Sequence, residues 1–442
     1  MMENVLPEGW EKIYLGQIVK LKNGFAFNSS DYLESGIPVV RISDIKNGNV
    51  SLDNPVYVAE DIGFRDFTIQ NGDILIAMSG ATTGKFGVFS QDALAYQNQR
   101  VGNIKPHSET LISKRFVYYL IGSLQKKIEE GAYGGAQPNI SSKAIEEIVT
   151  HLPPLAEQKQ IVAKLDVAFG YLETLKASLA RIPQLLKTFR QSVLTQAVTG
   201  KLTGNLETTL LGDMGVKIQT GPFGSSLHKE DYIENGTPVI NPSHIKNGEI
   251  LPDLSVTISN SKLREVKGFI LEDGDVIIGR RGEMGRAAVY NDKFGKMLCG
   301  TGSIILKKSP KLSSEFLAYY LRSPFCVDFL TTNAVGSTMV NLNQKIIKSL
   351  PFPKLGKEAQ ENIVKKIEEL LSKADAIESQ YLSLKEKVDK LPQALIAKAF
   401  RGELVPQDPA NEPAAVLLEK IHKEIGKLEK KGKKQMKLVF DE

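Results

Sequence analysis

Cysteine is nearly absent: Cys299 and Cys326 are the only two in 442 residues, with no CxxC pair. A disulfide framework and a zinc site are thereby excluded as organising devices, and both thiols read as core residues. Long apolar runs are missing as well. Stretches such as Ile74-Leu-Ile-Ala-Met78 are strand length, well below the ~20 residues needed to cross a bilayer. Met1-Met-Glu-Asn4 has neither the basic nor the apolar region of a secretory signal, so the expected location is the cytoplasm, with no membrane partner. Nor does one sign of charge dominate. The formal net charge is only +5; residues 1–155 hold 14 Lys+Arg against 17 Asp+Glu, and residues 206–354 hold 18 against 15. A polyanionic partner must then be met by locally placed cations, because only charges near phosphates release counterions. The lysine run from Lys427 to Lys437 reads as a solvated terminus.

Catalytic signatures are also lacking. Gly80-Ala-Thr-Thr-Gly-Lys85 is one residue short of a nucleotide-binding loop, and Phe86 stands where a magnesium-binding hydroxyl is needed. No GxSxG, HExxH or dinucleotide-type GxGxxG occurs, and the five histidines do not cluster at metal spacing. Asn54-Pro-Val-Tyr57 and Asn241-Pro-Ser-His244 each lack the second proline of the Asn-Pro-Pro-aromatic motif of amino-group DNA methyltransferases, and both read as turns. Asp31, Glu34, Asp231 and Glu234 sit beside turn glycines and prolines, where carboxylates commonly cap backbone amides, so a metal role is the weaker reading. No catalytic or metal residue is assigned.

What is present is repetition. Asp31-Tyr32-x-Glu34-x-Gly36-x-Pro38-Val39 returns as Asp231-Tyr232-x-Glu234-x-Gly236-x-Pro238-Val239, and Ile45-Lys-Asn-Gly48 as Ile245-Lys-Asn-Gly248, both at an offset of 200. A period this long makes each copy a domain with its own core rather than a solenoid unit. After each copy comes a helical pattern, aligned at an offset of 202. Ile161, Leu165, Ala168, Leu172, Leu175, Leu179, Ile182, Leu186, Phe189 and Val193 match Ile363, Ile367, Leu370, Ala374, Ile377, Tyr381, Leu384, Val388, Leu391 and Leu395. Steps alternating between three and four are a coiled-coil seam, and the nearest partner for one helix is the other. Each would run roughly 40 residues, or about 60 Å, and an inserted domain requires the pair to be antiparallel. Pro183 and Pro392 predict kinks or a local break, and Gly200 and Gly402 suit C-terminal caps.

Inside the copies, Asn71-Gly-Asp-Ile-Leu-Ile-Ala77 and Glu272-Asp-Gly-Asp-Val-Ile-Ile278 read as turns into buried strands. Arg115–Leu120 and Glu315–Leu321 read as apolar helices. The expected fold is α+β: two similar mixed α/β domains, 1–155 and 206–354, separated by two long antiparallel coiled-coil helices, 156–205 and 355–403, in a pseudo-two-fold internal repeat. Residues 404–442 form a C-terminal segment with a short amphipathic helix over Pro413–Ile421.

Leu152-Pro-Pro-Leu-Ala-Glu-Gln158 before the first helix, its counterpart Leu350-Pro-Phe-Pro353 with Ala359-Gln360, Gly134-Gly-Ala-Gln-Pro-Asn-Ile140, and Ala399-Phe-Arg-Gly-Glu-Leu-Val-Pro406 followed by Glu412-Pro-Ala-Ala-Val-Leu-Leu418 carry a resemblance over essentially the whole chain. In order and duplication they resemble the specificity subunit of type I restriction-modification systems. The resemblance implies a non-catalytic subunit in which each target-recognition domain reads half of a bipartite double-stranded DNA sequence while the helices set the spacer. It also implies docking of two adenine methyltransferase subunits and, in the fuller complex, of endonuclease/translocase subunits. This chain would bind no cofactor; S-adenosylmethionine, ATP and Mg2+ would belong to its partners.

Base reading needs paired donors and acceptors on loops. Ser79, Thr82, Thr83 and Lys85 lie on one glycine-rich turn, and Arg280, Arg281 and Arg286 on its basic counterpart. Gln97, Asn98, Gln99 and Arg100 crowd four amide or guanidinium groups where a core strand would alternate; the counterpart Leu298–Gly302 offers Thr301. Gln137 and Asn139, with Thr338 and Asn341, sit on segments that resemble the family's DNA-side loop. Lys22, Asn28, Gln219, Ser225 and Ser226 flank the turns that open the domains, whose Phe25 and Phe223 read as core anchors. The runner-up function is a coiled-coil assembly protein whose repeated domains bind proteins.

Overall fold

The computed structural model of the chain describes residues 6–46, 48–132, 138–199, 207–334 and 341–440. It divides into two units, Met1–Ala177 with Lys385–Glu442, and Ser178–Leu384. Among the described residues the α-helices are α1 (Lys114–Ala132), α2 (Ser142–Glu146), α3 (Leu155–Leu179), α4 (Ile182–Val198), α5 (Asn260–Glu265), α6 (Ser314–Arg322), α7 (Pro324–Asn333), α8 (Gln344–Lys348), α9 (Lys357–Ala399) and α10 (Ala414–Phe440). Each unit holds one repeat domain and part of both long helical segments, so the architecture is two similar mixed α/β domains joined by helices.

In the first unit a central sheet runs in the order Val19–Asn23, Val101–Pro106, Ile74–Ala77, Phe86–Val88, Gly48–Val50, Ile45–Lys46. The second unit repeats the first four positions with Ile218–Thr220, Ser303–Leu306, Val276–Gly279 and Ala287–Val289. A second sheet in each pairs strands in parallel at matching places: Val39 with Tyr96 and Val40 with Gln97, then Val239 with Leu298 and Ile240 with Cys299. Every residue of Ile74–Ala77 and Val276–Gly279 is buried, which explains runs without polar alternation.

The repeated turn ahead of that strand has a specific use for its aspartate. Asp73, wholly buried, accepts from Gln70 N at 3.1 Å and Asn103 Nδ2 at 2.8 Å and pairs with Lys105 and Lys114 at 3.1 and 3.2 Å. Burial pushes its pKa up, but these donors and cations outweigh it and hold the carboxyl below its ordinary value. Asp275 repeats the device with Glu272 N, Lys308 N and Lys307.

The helical segments follow the expected seam, and the two prolines expected to kink or break it behave differently. At Pro183 the helix breaks: α3 ends at Leu179 and the proline enters the first turn of α4, where its missing N–H has no partner to lose. At Pro392, α9 runs through without interruption over 43 residues. Within the second unit α4 and α9 run in opposite directions, since Arg190 pairs with Asp375 and Glu378 at 2.7 Å while Val193 and Val198 share a core with Ile363 and Ile367. Only half of the seam is closed. Leu165, Leu172, Leu179, Leu186 and Val193 are buried, whereas Leu175, Phe189, Ile377, Leu384 and Leu391 are exposed.

α9 closes on a left-handed Gly402, φ 76°, with Glu403 N donating to Lys398 O and Gly402 N to Ala399 O, the expected cap. Gly200 lies outside the described residues. The C-terminal helix is longer than expected: α10 spans 27 residues, and its Ala414, Leu417 and Ile421 complete the core beneath α1.

Candidate nucleic-acid interface

Four segments that are distant in sequence are laced together by backbone hydrogen bonds at one edge of each domain. In the first, Phe25 N donates to Gln97 O, Gln99 N to Phe25 O, Met78 N to Arg100 O and Ile140 N to Met78 O, at 2.8–2.9 Å. In the second, Gly221 N donates to Ser303 O, Arg280 N to Gly302 O and Leu342 N to Arg280 O, each at 2.9 Å. The matching bridges Ser79 to Asn139 and Arg281 to Asn341 tie the turn after the central strand to the segment before α2 or α8. Glycine is required at the crossing, because a β-carbon on Gly24 would collide with Gln97 O and Asn98 O, and one on Gly221 with Gly300 O.

The first domain thereby forms an open cleft of ≈ 560 Å³ lined by Asn23, Met78, Ser79, Gln99, Arg100 and the 138–142 segment. Gln99, Arg100 and Asn139 are exposed, and the buried Ser79 Oγ and Thr82 Oγ1 have no partner among the described residues. Such a cleft offers donors and acceptors not yet committed inside the chain. Asn98 turns its side chain back onto Arg100 N, Thr83 hydrogen-bonds Gly80 O and Pro138 O, and Lys85 stands exposed beyond the turn. Lys22 and Asn28 are exposed nearby in sequence.

Gln97 needs correcting. It is only 2% exposed, and its amide donates to Lys22 O at 2.8 Å and Val101 O at 2.6 Å, so it fastens the strand and does not face a ligand. Gln219 is similarly engaged, donating to Gly268 O at 2.9 Å. Arg286 is held by Glu283 through Nε and Nη2, at 2.9 and 2.7 Å, so its charge is already matched. Arg281 is the available cation: exposed, and aimed by the bond from its Nε to Asn341 Oδ1 at 2.8 Å. Arg280 is half-buried with Nε unpartnered; burial, then Arg281, holds its pKa below the ordinary value. Thr301 is half-buried in the turn facing Arg280, and Ser225 and Ser226 are exposed. Gln137 and Thr338 lie outside the described residues.

Phe25 and Phe223 separate. Phe25 packs on Phe27, Phe64 and Phe67, with ring centroids 4.9–5.3 Å apart, but is itself 36% exposed, so it anchors the turn at the surface and not in the core. Phe223 is 70% exposed, so the expectation of a core residue fails there: Gly221–Leu227 has three more residues than Gly24–Phe27, and the ring rides on the insertion. Sequence reasoning missed Asn23 and Ser141 in the cleft. Ser141 accepts from Ala144 N, and Asn343 in the second domain from Ile346 N, so helix-cap chemistry at an offset of 202 was the available signal.

The family model for the type I restriction modification DNA specificity domain matches residues 7–184 and again 205–386. The chain is 30% identical over 463 residues to the type I restriction enzyme StySPI specificity subunit of Salmonella potsdam, covering 96% of this chain and 97% of that one. It is 29% identical over 449 residues to the EcoBI specificity subunit of Escherichia coli, covering 95% and 93%. Its fold is similar to the crystal structure of the HsdS subunit from Thermoanaerobacter tengcongensis, with a TM-score of 0.62 at 19% identity over 90% of this chain and 98% of that one. A chain solved in work on assembly and conformational transition of the type I R-M system gives 0.65 at 19% identity over 90% and 100%.

Proposed function

The chain belongs to the type I restriction-modification DNA specificity family, and from that membership we propose that its two laced edges read the two halves of a split, asymmetric duplex sequence. Its part in such a system is sequence recognition and scaffolding, without an active site of its own. The helices set the unread spacer, with half-sites about one helical turn, roughly 34–36 Å, apart. Their exposed apolar seam positions, including Leu175 in one unit and Phe189 and Ile377 in the other, dock two methyltransferase subunits, and endonuclease/translocase subunits join the fuller complex. S-adenosylmethionine, ATP and Mg2+ serve those partners.

One observation carries the reading. The same backbone lacing recurs in both domains while the side chains on it differ: Ser79 against Arg281, Gln99 against Thr301, Arg100 against Gly302. A constant frame with variable polar tips suits two different half-sites, because a correctly paired side chain discriminates its base by about 1–3 kcal/mol. The family does not favour the alternative of protein-binding repeats. Arg281→Ala, with Asn341 left in place, is expected to weaken or relax recognition of one half-site roughly 5- to 150-fold and leave the other intact. Arg100→Ala should do the converse. Sequencing the methylated sites in cells carrying each variant decides it; unchanged half-sites in both would remove these edges as the reading surface.

A further inference from the structure

The loop that carries Arg281 borders a second feature of the same unit, a cavity of ≈ 1040 Å³ between the Ile245–Gly248 turn, residues 282–287, and the α6–α7 corner. Arg322, the last residue of α6, enters it. Its guanidinium lies over the left-handed turn Asn247-Gly248, φ 53° and 88°, so closely that a β-carbon on Gly248 would collide with Arg322 Nη1. The left-handed backbone is what calls for glycine at 248, and the guanidinium occupies the space its missing side chain leaves.

Arg322 makes no hydrogen bond or ion pair among the described residues; its partner is the Tyr319 ring, 5.5 Å from Cζ. A guanidinium stays charged in a protein and carries five N–H donors; Arg322 is half-buried, and with no acceptor among the described residues those donors are left open to whatever fills the cavity. Burial holds its pKa below the ordinary value, opposed by Tyr319 and Glu249, neither of which reaches ion-pair distance. The other charges around the cavity do not answer this need. Arg286 and Glu283 satisfy each other, Lys246 is exposed without an ion pair, and Asp328 is exposed at the rim without one. Arg322 and Lys246 therefore have Asp328 at the rim and Glu249 beside the turn as unpaired carboxylates nearby, neither at ion-pair distance, and the charge that enters the cavity is positive. The first domain lacks the arrangement, because Gly48 is covered by the Tyr118 hydroxyl and the position 200 residues before Arg322 is Gly122.

We propose that this cavity is a phosphate-binding site confined to the second domain, anchored by Arg322 with Lys246 as its rim cation. A guanidinium meets a phosphate through two parallel N–H···O bonds, and the group could be a backbone phosphate of bound DNA or a free phosphate. The DNA source rests on the proposed function, since loop 280–286 presents Arg281 to one side and closes this cavity on the other.

Two measurements on the full chain separate the sources, with Arg322→Gln, the charge-keeping Arg322→Lys, and Lys246→Ala in case the first variant folds poorly. Specific duplex affinity is followed between 50 and 200 mM salt, and the melting temperature is followed as inorganic phosphate is added. For a DNA phosphate, the slope of log affinity against log salt falls by about 0.9 in Arg322→Gln and by part of that in Lys246→Ala, while Arg322→Lys keeps it. For a free phosphate the slopes stay equal, and phosphate raises the melting temperature of the parent but not of Arg322→Gln. Equal slopes with no phosphate-dependent difference between parent and variant overturn the site. Loss of specific duplex binding by the parent chain itself would instead count against the proposed function, and the phosphate titration would still read the cavity.

Discussion

One buried carboxylate in each domain fixes the entry to the central strand, and Asp73 shows how much rests on it. It joins a turn amide, Asn103 and two lysines that reach it from a neighbouring strand and from α1. Asp73→Ala leaves those donors facing a cavity; as both lysines keep some solvent access, the expected loss is toward the low end for a broken buried pair, about 3 kcal/mol. The native carboxyl has a lowered pKa, so its contribution is full above the unfolded value near 3.9 and is lost as pH falls through the lower folded value. Urea unfolding at pH 7 should therefore separate parent from variant, and the gap should close below about pH 4. A gap that persists undiminished at pH 2 would mean that packing, not charge, is the cause.

Prolines at similar places in the two helical patterns have different outcomes, and the difference lies in what precedes them. Residues 180–181 leave the helix before Pro183, which then sits in a first turn; Pro392 has helix on both sides and removes the hydrogen bond to Val388 O. Pro392→Ala should raise stability by up to about 3 kcal/mol, whereas Pro183→Ala should change it by less than about 1 kcal/mol, as denaturant midpoints of the two variants would report. Equal effects would show that the continuous path of α9 carries no penalty at the proline. The sequence makes the heptads, caps and buried strands legible because each is set by local spacing. It does not reveal which of the two prolines breaks its helix, the exposure of Leu175, Phe189, Ile377, Leu384 and Leu391 or the length of α10, because those depend on which surface a neighbour covers.

Across the whole molecule, the loops that form the candidate site were legible one by one, but not their joining, since Ser79 meets Asn139 and Arg281 meets Asn341 across 60 residues. Polarity also misled where backbone carbonyls captured a buried side chain, as at Gln97, because a buried amide and an exposed one read the same in sequence. The helices are the remaining part of the reading, and they can be altered without touching either edge. Deleting one heptad from each, residues 168–174 and 370–376, removes matching segments of the two patterns and shortens the helical path by about 10 Å, the length of about three base pairs. The protein faces return to within about 20° of their former phase. Three base pairs rotate B-DNA by about 100°, so translation is matched while rotation is not. The shortened chain should thus direct methylation to the same two half-sites with a spacer about three base pairs shorter, at a reduced rate because the duplex must twist to fit. Methylated-site sequencing reads both the half-sites and the gap, and an unchanged gap would show that something other than these helices measures it.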